Sequence, residues 1–367
     1  MLSSPCLWAG VRIVIRTNQN PNPALSHTIT TIEQYFMANA PVYQRLQQLR
    51  AKGWENPEGD RFLEKQLRRA DEISESTVQH LNDMEDNAKE MPCFTRAFTI
   101  KSEQQPQRVL DMCMAPGTYL AKALERNPSA HAVASALPPS RGGLVPIVSE
   151  SDTVKIHLLD ITMLAADMGI TPDAAPPSHP DAASFPHSRY LEDGRDTDLV
   201  PCDGAIRRTH ERAEYHFHRG SRRPLLTQLV LGLGHLRPGG TMAVLLHKFE
   251  RANTNRVLRD FNRFAHVVLF KPRSGHAKRS TFYMIASAIW SAGTEALDAV
   301  AGWKREWKIA TLGTNEEWRA DYSRVAGSGE LGTEGVLEEF GPALVKLGQN
   351  VWRTQADALK GASFMKK

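Results

Sequence analysis

Cysteine is scarce in this chain of 367 residues. The four thiols, Cys6, Cys93, Cys113 and Cys202, form no Cys-x-x-Cys pair and have no histidine partners at ligand spacing. That argues against a zinc site and a disulfide framework, so no metal is expected, and it suits a reducing compartment inside the cell, cytoplasm or nucleus. Long apolar runs are missing too. None approaches the ~20 residues that a membrane-spanning helix needs, so no membrane partner is expected. An excess of one charge sign is also lacking: 23% of residues are charged and the formal net charge is +4. Such a balance excludes an overwhelming field for nucleic acid and leaves room for a local basic patch. No acidic residue precedes Glu33. An acid-free leader with Arg12 and Arg16 fits a disordered N-terminus, the favoured reading, or a mitochondrial presequence. The glycine turn that follows the first strand candidate is not Gly-x-Gly-x-x-Gly, which makes a dinucleotide site there a poor match.

What is present divides into four parts. Residues 1–30 read as a flexible leader. Residues 31–92 are charged and amphipathic, with Leu46, Leu49, Phe62 and Leu63 at helical spacings, and read as a helical N-terminal region. Residues 93–290 alternate apolar strands with helical segments, the pattern of an α/β, Rossmann-like sheet. The strand candidates are 108–112, 131–136, 155–159, 198–202, 241–247, 266–270 and 281–289. A proline-rich stretch at 171–188 reads as a surface loop inserted between two strands. Residues 291–367 return to helical patterning with Trp303, Trp307, Trp318 and Trp352.

The most informative run is Arg108-Val-Leu-Asp-Met-Cys-Met-Ala-Pro-Gly117. A short strand ends at Asp111, turns through Ala115, Pro116 and Gly117, and enters a helix. This arrangement brings backbone N–H groups and a helix N-terminus up to a cofactor. Asp-x-x-x-Ala-Pro-Gly resembles the S-adenosyl-L-methionine (SAM) motif of FtsJ/RrmJ-like RNA ribose 2′-O-methyltransferases. Two later segments extend the resemblance over about residues 93–290. One is Asp198-Leu-Val-Pro-Cys-Asp203-Gly204. The other runs from Leu236-Arg-Pro-Gly-Gly240 to Lys248, then through Lys271-Pro-Arg-Ser274 and Ser280-x-x-Tyr283-x-x-Ala286.

The resemblance implies SAM as cofactor. Ala115, Pro116 and Gly117 would lie against its methionine end, with Asp111 supporting the loop, and Asp160 would meet the adenine amino group. Asp160 also reads as a helix N-cap, and one residue can do both. Thr118 stands where relatives carry a second glycine. At the end of the second strand, where nucleotide-binding sheets place an acid for the ribose hydroxyls, this chain has Ser135 and no acid.

For catalysis the resemblance implies a Lys-Asp-Lys-Glu set. A ribose hydroxyl is a poor nucleophile, and a lysine serves as its base only when burial or a neighbouring cation lowers its pKa. Lys248 would be the base and Asp203 the residue that orients it. By spacing Lys89 is the first lysine, with Lys101 in reserve. Thr281 stands where the glutamate belongs. RNA is the expected substrate. Arg207, Arg208 and Arg212 lie in a run from Arg207 to Arg223 holding six arginines and three histidines, and Lys271 and Arg273 form a second basic patch. The histidines lack carboxylate or thiolate partners at ligand spacing, which ranks metal below RNA contact. Two alternatives stay open: an inactive methyltransferase-like protein that binds RNA or a protein, and a SAM-dependent enzyme for a small metabolite. Protein partners are not legible.

Overall fold

The computed structural model describes residues 23–59, 61–62, 73–171, 175–206, 210, 219, 222–326 and 332–365. Seven strands form one sheet in the order β3-β2-β1-β4-β5-β7-β6. They are β1 Arg108–Asp111, β2 His131–Ala136, β3 Val154–Leu158, β4 Thr197–Cys202, β5 Leu236–His247, β6 His266–Phe270 and β7 Thr281–Ile289. Pairing is parallel from β3 through to β5, and β7 alone runs antiparallel to both of its neighbours. All seven candidate strands are present.

Alternation along each strand feeds two cores. Leu110, Val200 and Val244 point to one face, and Val109, Leu199 and Ala243 to the other. Burial on both faces explains why β4 reads as a continuous apolar run. The first face is covered by helices on each side of the sheet domain in sequence: α1 Pro23–Asn39, α2 Pro41–Trp54 and, much later, α9 Thr333–Lys360. It also receives α5 Arg223–His235, α6 Ala252–Phe264 and α7 Thr294–Leu312. The second face is covered by α3 Ile73–Phe94 and α4 Thr118–Arg126, and α8 Asn315–Ala326 lies between α7 and α9 in the chain.

The helical parts at the two ends meet each other. Phe36 and Tyr43 lie 5.0 and 5.1 Å from Trp352, ring centre to ring centre, and Phe36 lies 5.6 Å from Phe249 just beyond β5. Beneath them Arg50 forms a buried ion pair with Glu250 at 3.1 Å and donates to Gln355 at 3.1 Å.

The Pro-Gly-Gly segment lies within β5: α5 ends at His235 and β5 begins at Leu236. Gly239 takes φ +89°, a left-handed value open to glycine, and the pairing with β7 shifts register between Gly240 and Met242. The proline-rich insertion is tied down by Asp167, whose carboxylate accepts from the backbone N–H of Tyr190 (2.9 Å) and Leu191 (3.0 Å).

Strand order reverses between β1 and β4, and open α/β sheets bind ligands in the crevice at such a switch point. Asp111 ends β1 and Asp203 follows β4 directly.

Candidate active site

Asp111 is 3% exposed, and its Oδ1 accepts from the Cys113 N–H at 3.3 Å. Burial pushes its pKa up to about 8, with the nearby charge of Asp203 adding to the rise. Behind it the chain turns at Gly117, whose φ of +115° caps α4, and a Cβ there would meet Val148 at 3.0 Å. Thr118 is the first residue of α4 and carries no left-handed φ, so its Cβ brings no backbone strain. Its buried Oγ1 has no hydrogen-bond partner among the described residues. Ala115 and Pro116 complete the turn, and the Pro116 carbonyl accepts from Ile147 N–H at 2.7 Å.

Asp160 fills one of its two expected roles directly. Its Oδ1 caps a 3-10 turn, accepting from Thr162 N–H at 2.9 Å and Thr162 Oγ1 at 2.7 Å, while Oδ2 lies 3.7 Å from Arg141. Cys113 sits among Asp111, Asp160 and Asp203, and burial with these three negative charges drives its thiol pKa well up.

Asp203 is half-buried and held by a tyrosine pair. The Tyr283 hydroxyl donates to Asp203 Oδ1 at 2.8 Å, and Tyr119 Oη lies 2.7 Å from Tyr283 Oη. Burial raises the Asp203 pKa to about 7, and the Tyr283 hydrogen bond works the other way. Tyr283 belongs to the hairpin motif, but nothing in the sequence signals that its hydroxyl reaches Asp203, or that Tyr119 joins it.

Other expected site residues lie in settings the sequence does not show. Lys248 is 8% exposed, and burial lowers its pKa to about 8, with Arg251 contributing. No hydrogen bond or ion pair joins it to Asp203; the other charges acting on it are Glu250, Arg50 and Glu33. The residue opposite Tyr283 on β5 is Leu245, which packs with Tyr283 and Tyr119, whereas Leu246 faces the opposite core. Lys248 follows the end of β5 with φ 52°, outside the alternation of the strand. Lys89 is exposed and paired with Glu85 at 2.5 Å along the same helix, and Lys101 is exposed. Thr281 is 5% exposed, with its Oγ1 unpartnered among the described residues.

Ser135 is no ribose ligand. It is fully buried, and its Oγ donates to the Met112 carbonyl at 2.8 Å, stitching β2 to the end of β1. Lys271 is no phosphate ligand: it is 2% exposed, and its Nζ donates to the carbonyls of His276 (2.7 Å), Arg279 (2.5 Å) and Thr281 (2.5 Å). Arg273 does reach the surface. Arg207, Arg208 and Arg212 lie outside the described residues. Of the same basic run, Arg223 donates to Thr162 O at 2.7 Å from a buried site, Arg222 pairs with Glu306, and Arg219 donates to Gly313 O and Asn315. These three arginines are engaged within the fold.

The FtsJ-like methyltransferase family model matches residues 93–288. The chain belongs to this family. It is therefore a methyltransferase, and its cofactor is S-adenosyl-L-methionine. No curated protein matches. Solved structures with some likeness include human methyltransferase-like protein 13 in complex with SAH, at 13% identity and TM-score 0.30 over 55% of this chain and 82% of that one. Another is an O-methyltransferase family protein from Burkholderia thailandensis, at 16% identity and TM-score 0.32 over 71% of each chain.

The residues at the switch point suit this cofactor. SAM carries a sulfonium and an ammonium, and this methyltransferase gathers Asp111, Asp160 and Asp203 round Cys113. Asp111 and Asp203 lack a cationic partner within 4 Å among the described residues, and Thr118 adds an unpartnered hydroxyl at a helix N-terminus. Asp111, Gly117 and Thr118 would hold the methionine end, and Asp160 the adenine.

Proposed function

We propose that this methyltransferase acts on RNA, with a ribose 2′-hydroxyl as acceptor and Asp203, rather than Lys248, as the group that takes the proton. The observation that carries the reading is the setting of Asp203. It stands at the switch point beside the cofactor loop, half-buried, with Oδ1 fixed by Tyr283 and Oδ2 free of hydrogen bonds among the described residues. A carboxylate whose pKa lies near neutrality is a stronger base than an ordinary one and is still ionised at pH 8. Bound SAM supplies an electrophilic methyl group on a positively charged sulfur. Asp203 Oδ2 would take the hydroxyl proton as the ribose oxygen bonds the methyl carbon and the carbon–sulfur bond breaks, its electron pair leaving with sulfur as the neutral thioether, while Tyr283 keeps the carboxylate aimed. RNA as substrate draws support from the family and from the exposed cations Arg273, Lys278 and Arg279 on the loop joining β6 to β7.

A second reading, a protein that holds SAM and RNA without transferring the methyl group, draws on Leu245 and Thr281 at positions facing the site. One experiment separates the two. Labelled SAM is incubated with mixed cellular RNA, which is then hydrolysed in alkali. A 2′-O-methyl group blocks cleavage at the adjacent phosphate, so label in alkali-resistant dinucleotides, lost with Asp203→Asn, supports the first reading. SAM binding by calorimetry with no label in any product supports the second. Label only in alkali-labile nucleotides would point to base methylation and overturn the ribose assignment.

A further inference from the structure

The loop joining β6 to β7 carries cations, and two of them lie over aromatic rings from helical segments that precede the sheet. The Arg273 guanidinium lies 5.1 Å from the Phe94 ring centre, and Lys278 Nζ lies 5.1 Å from that of Phe62. Phe94 is 57% exposed, an unusual state for a large apolar side chain at the end of a helix. It is nonetheless held in place, stacked on Phe270 with ring centres 6.2 Å apart and planes 25° apart.

The loop beneath is rigid. Lys271 binds three of its carbonyls from inside, as described above. On the outer side, the Glu90 carboxylate accepts from the Arg273 backbone N–H at 3.0 Å and from Ser274 Oγ at 3.2 Å. Glu90 therefore spends its charge on the loop backbone and leaves the Arg273 guanidinium to the ring and the solvent. The platform is also close to the chemistry: Phe270 is the cross-strand partner of Tyr283, which holds Asp203.

We infer that Phe94 and Arg273 form a stacking subsite for an unpaired base of a single-stranded RNA segment flanking the acceptor nucleotide. The inference rests on the proposed RNA substrate. A fixed, exposed ring with a planar cation over it offers a base a flat surface to stack on, the guanidinium plane included, while Lys278 and Arg279 meet the phosphates; in a duplex the base faces are already stacked on each other and cannot enter.

The test measures binding of the full-length protein to a fluorescently labelled mixed-sequence 16-nucleotide single-stranded RNA, to the same strand in a duplex, and to the single strand with abasic sites at its centre. Wild type should prefer the single strand and lose affinity for the abasic one. Phe94→Ala should weaken single-strand binding roughly 5- to 100-fold, the value of one base stacked on an aromatic ring, and leave duplex binding unchanged. Phe94→Trp should retain the affinity, and its indole emission should be quenched by the single strand. If wild type binds the single strand and Phe94→Ala binds it equally well, the subsite is wrong and the RNA reading stands. If wild type binds none of the RNAs, or binds polyglutamate as tightly, the substrate reading fails and the subsite with it.

Discussion

Tyr283 places its hydroxyl 2.8 Å from Asp203 Oδ1, from a strand three positions along the sheet from the cofactor loop. The bond favours the ionised carboxylate, against the burial that raises its pKa to about 7. Tyr283→Phe removes the favourable part alone, so the Asp203 pKa should rise. Because the base must be ionised to act, the acid limb of the pH–rate profile should move to higher pH. A profile unchanged in position, with only its height reduced, would show that Tyr283 serves packing instead.

Proton uptake at Asp111 and Asp203 should also appear in stability. Both folded-state pKa values lie above the ordinary carboxylate value, at about 8 and about 7. Between that ordinary value and about 8 the folded state binds more protons than the unfolded chain, so stability contributed by these groups is complete at acid pH and lost as pH rises through the folded values. The melting temperature of the SAM-free protein should therefore fall from pH 5.5 to pH 8 at this site. SAM should raise it more at pH 8, where the carboxylates are ionised for the cation, and calorimetry in buffers of different ionisation enthalpy should detect protons released on binding.

Lys248 should prove structural. Its charged neighbours are Glu250, Arg50, Arg251 and Glu33, so Lys248→Met is expected to reduce methyl transfer less than about tenfold, whereas Asp203→Asn should reduce it by ~10²–10⁴, the range for loss of a general base. Arg50→Met leaves Glu250 buried without its partner and should cost about 3–5 kcal/mol in denaturant unfolding. Loss of transfer in Lys248→Met with unchanged SAM affinity would restore the lysine as base.

Ser135→Asp separates ribose binding from packing. With Ser135 Oγ buried on Met112 O, the new carboxylate would stand among apolar neighbours and cost about 1–3 kcal/mol or more, without tightening SAM. Tighter SAM binding, read by calorimetry, would overturn the assignment of Ser135 to the core.

The sequence made the framework legible because its signals are local. Seven apolar runs at strand spacing and the Asp111–Gly117 turn each depend on a few adjacent residues, and all lie where the pattern puts them. The side-chain partnerships depend on register between distant strands. That Leu245 is the residue set opposite Tyr283 is decided by the pairing of β5 with β7, and an odd displacement along a strand turns a side chain to the other face. Burial of a charge is equally silent: Lys271, Arg219 and Arg223 read as part of a basic surface, yet each spends its donors on carbonyl groups inside the fold.

The meeting of the two helical ends has a consequence for synthesis. It packs Pro41–Trp54 against Thr333–Lys360, helices made far apart in time. At about 5–20 residues per second, the ribosome needs on the order of tens of seconds to add the stretch between them. Throughout that interval Phe36 and Tyr43, fully buried in the finished protein, have no Trp352 to meet. The nascent chain thus carries a bare aromatic surface throughout that interval, and its yield in a cell should follow the supply of holding chaperones more closely than the stability of the folded product.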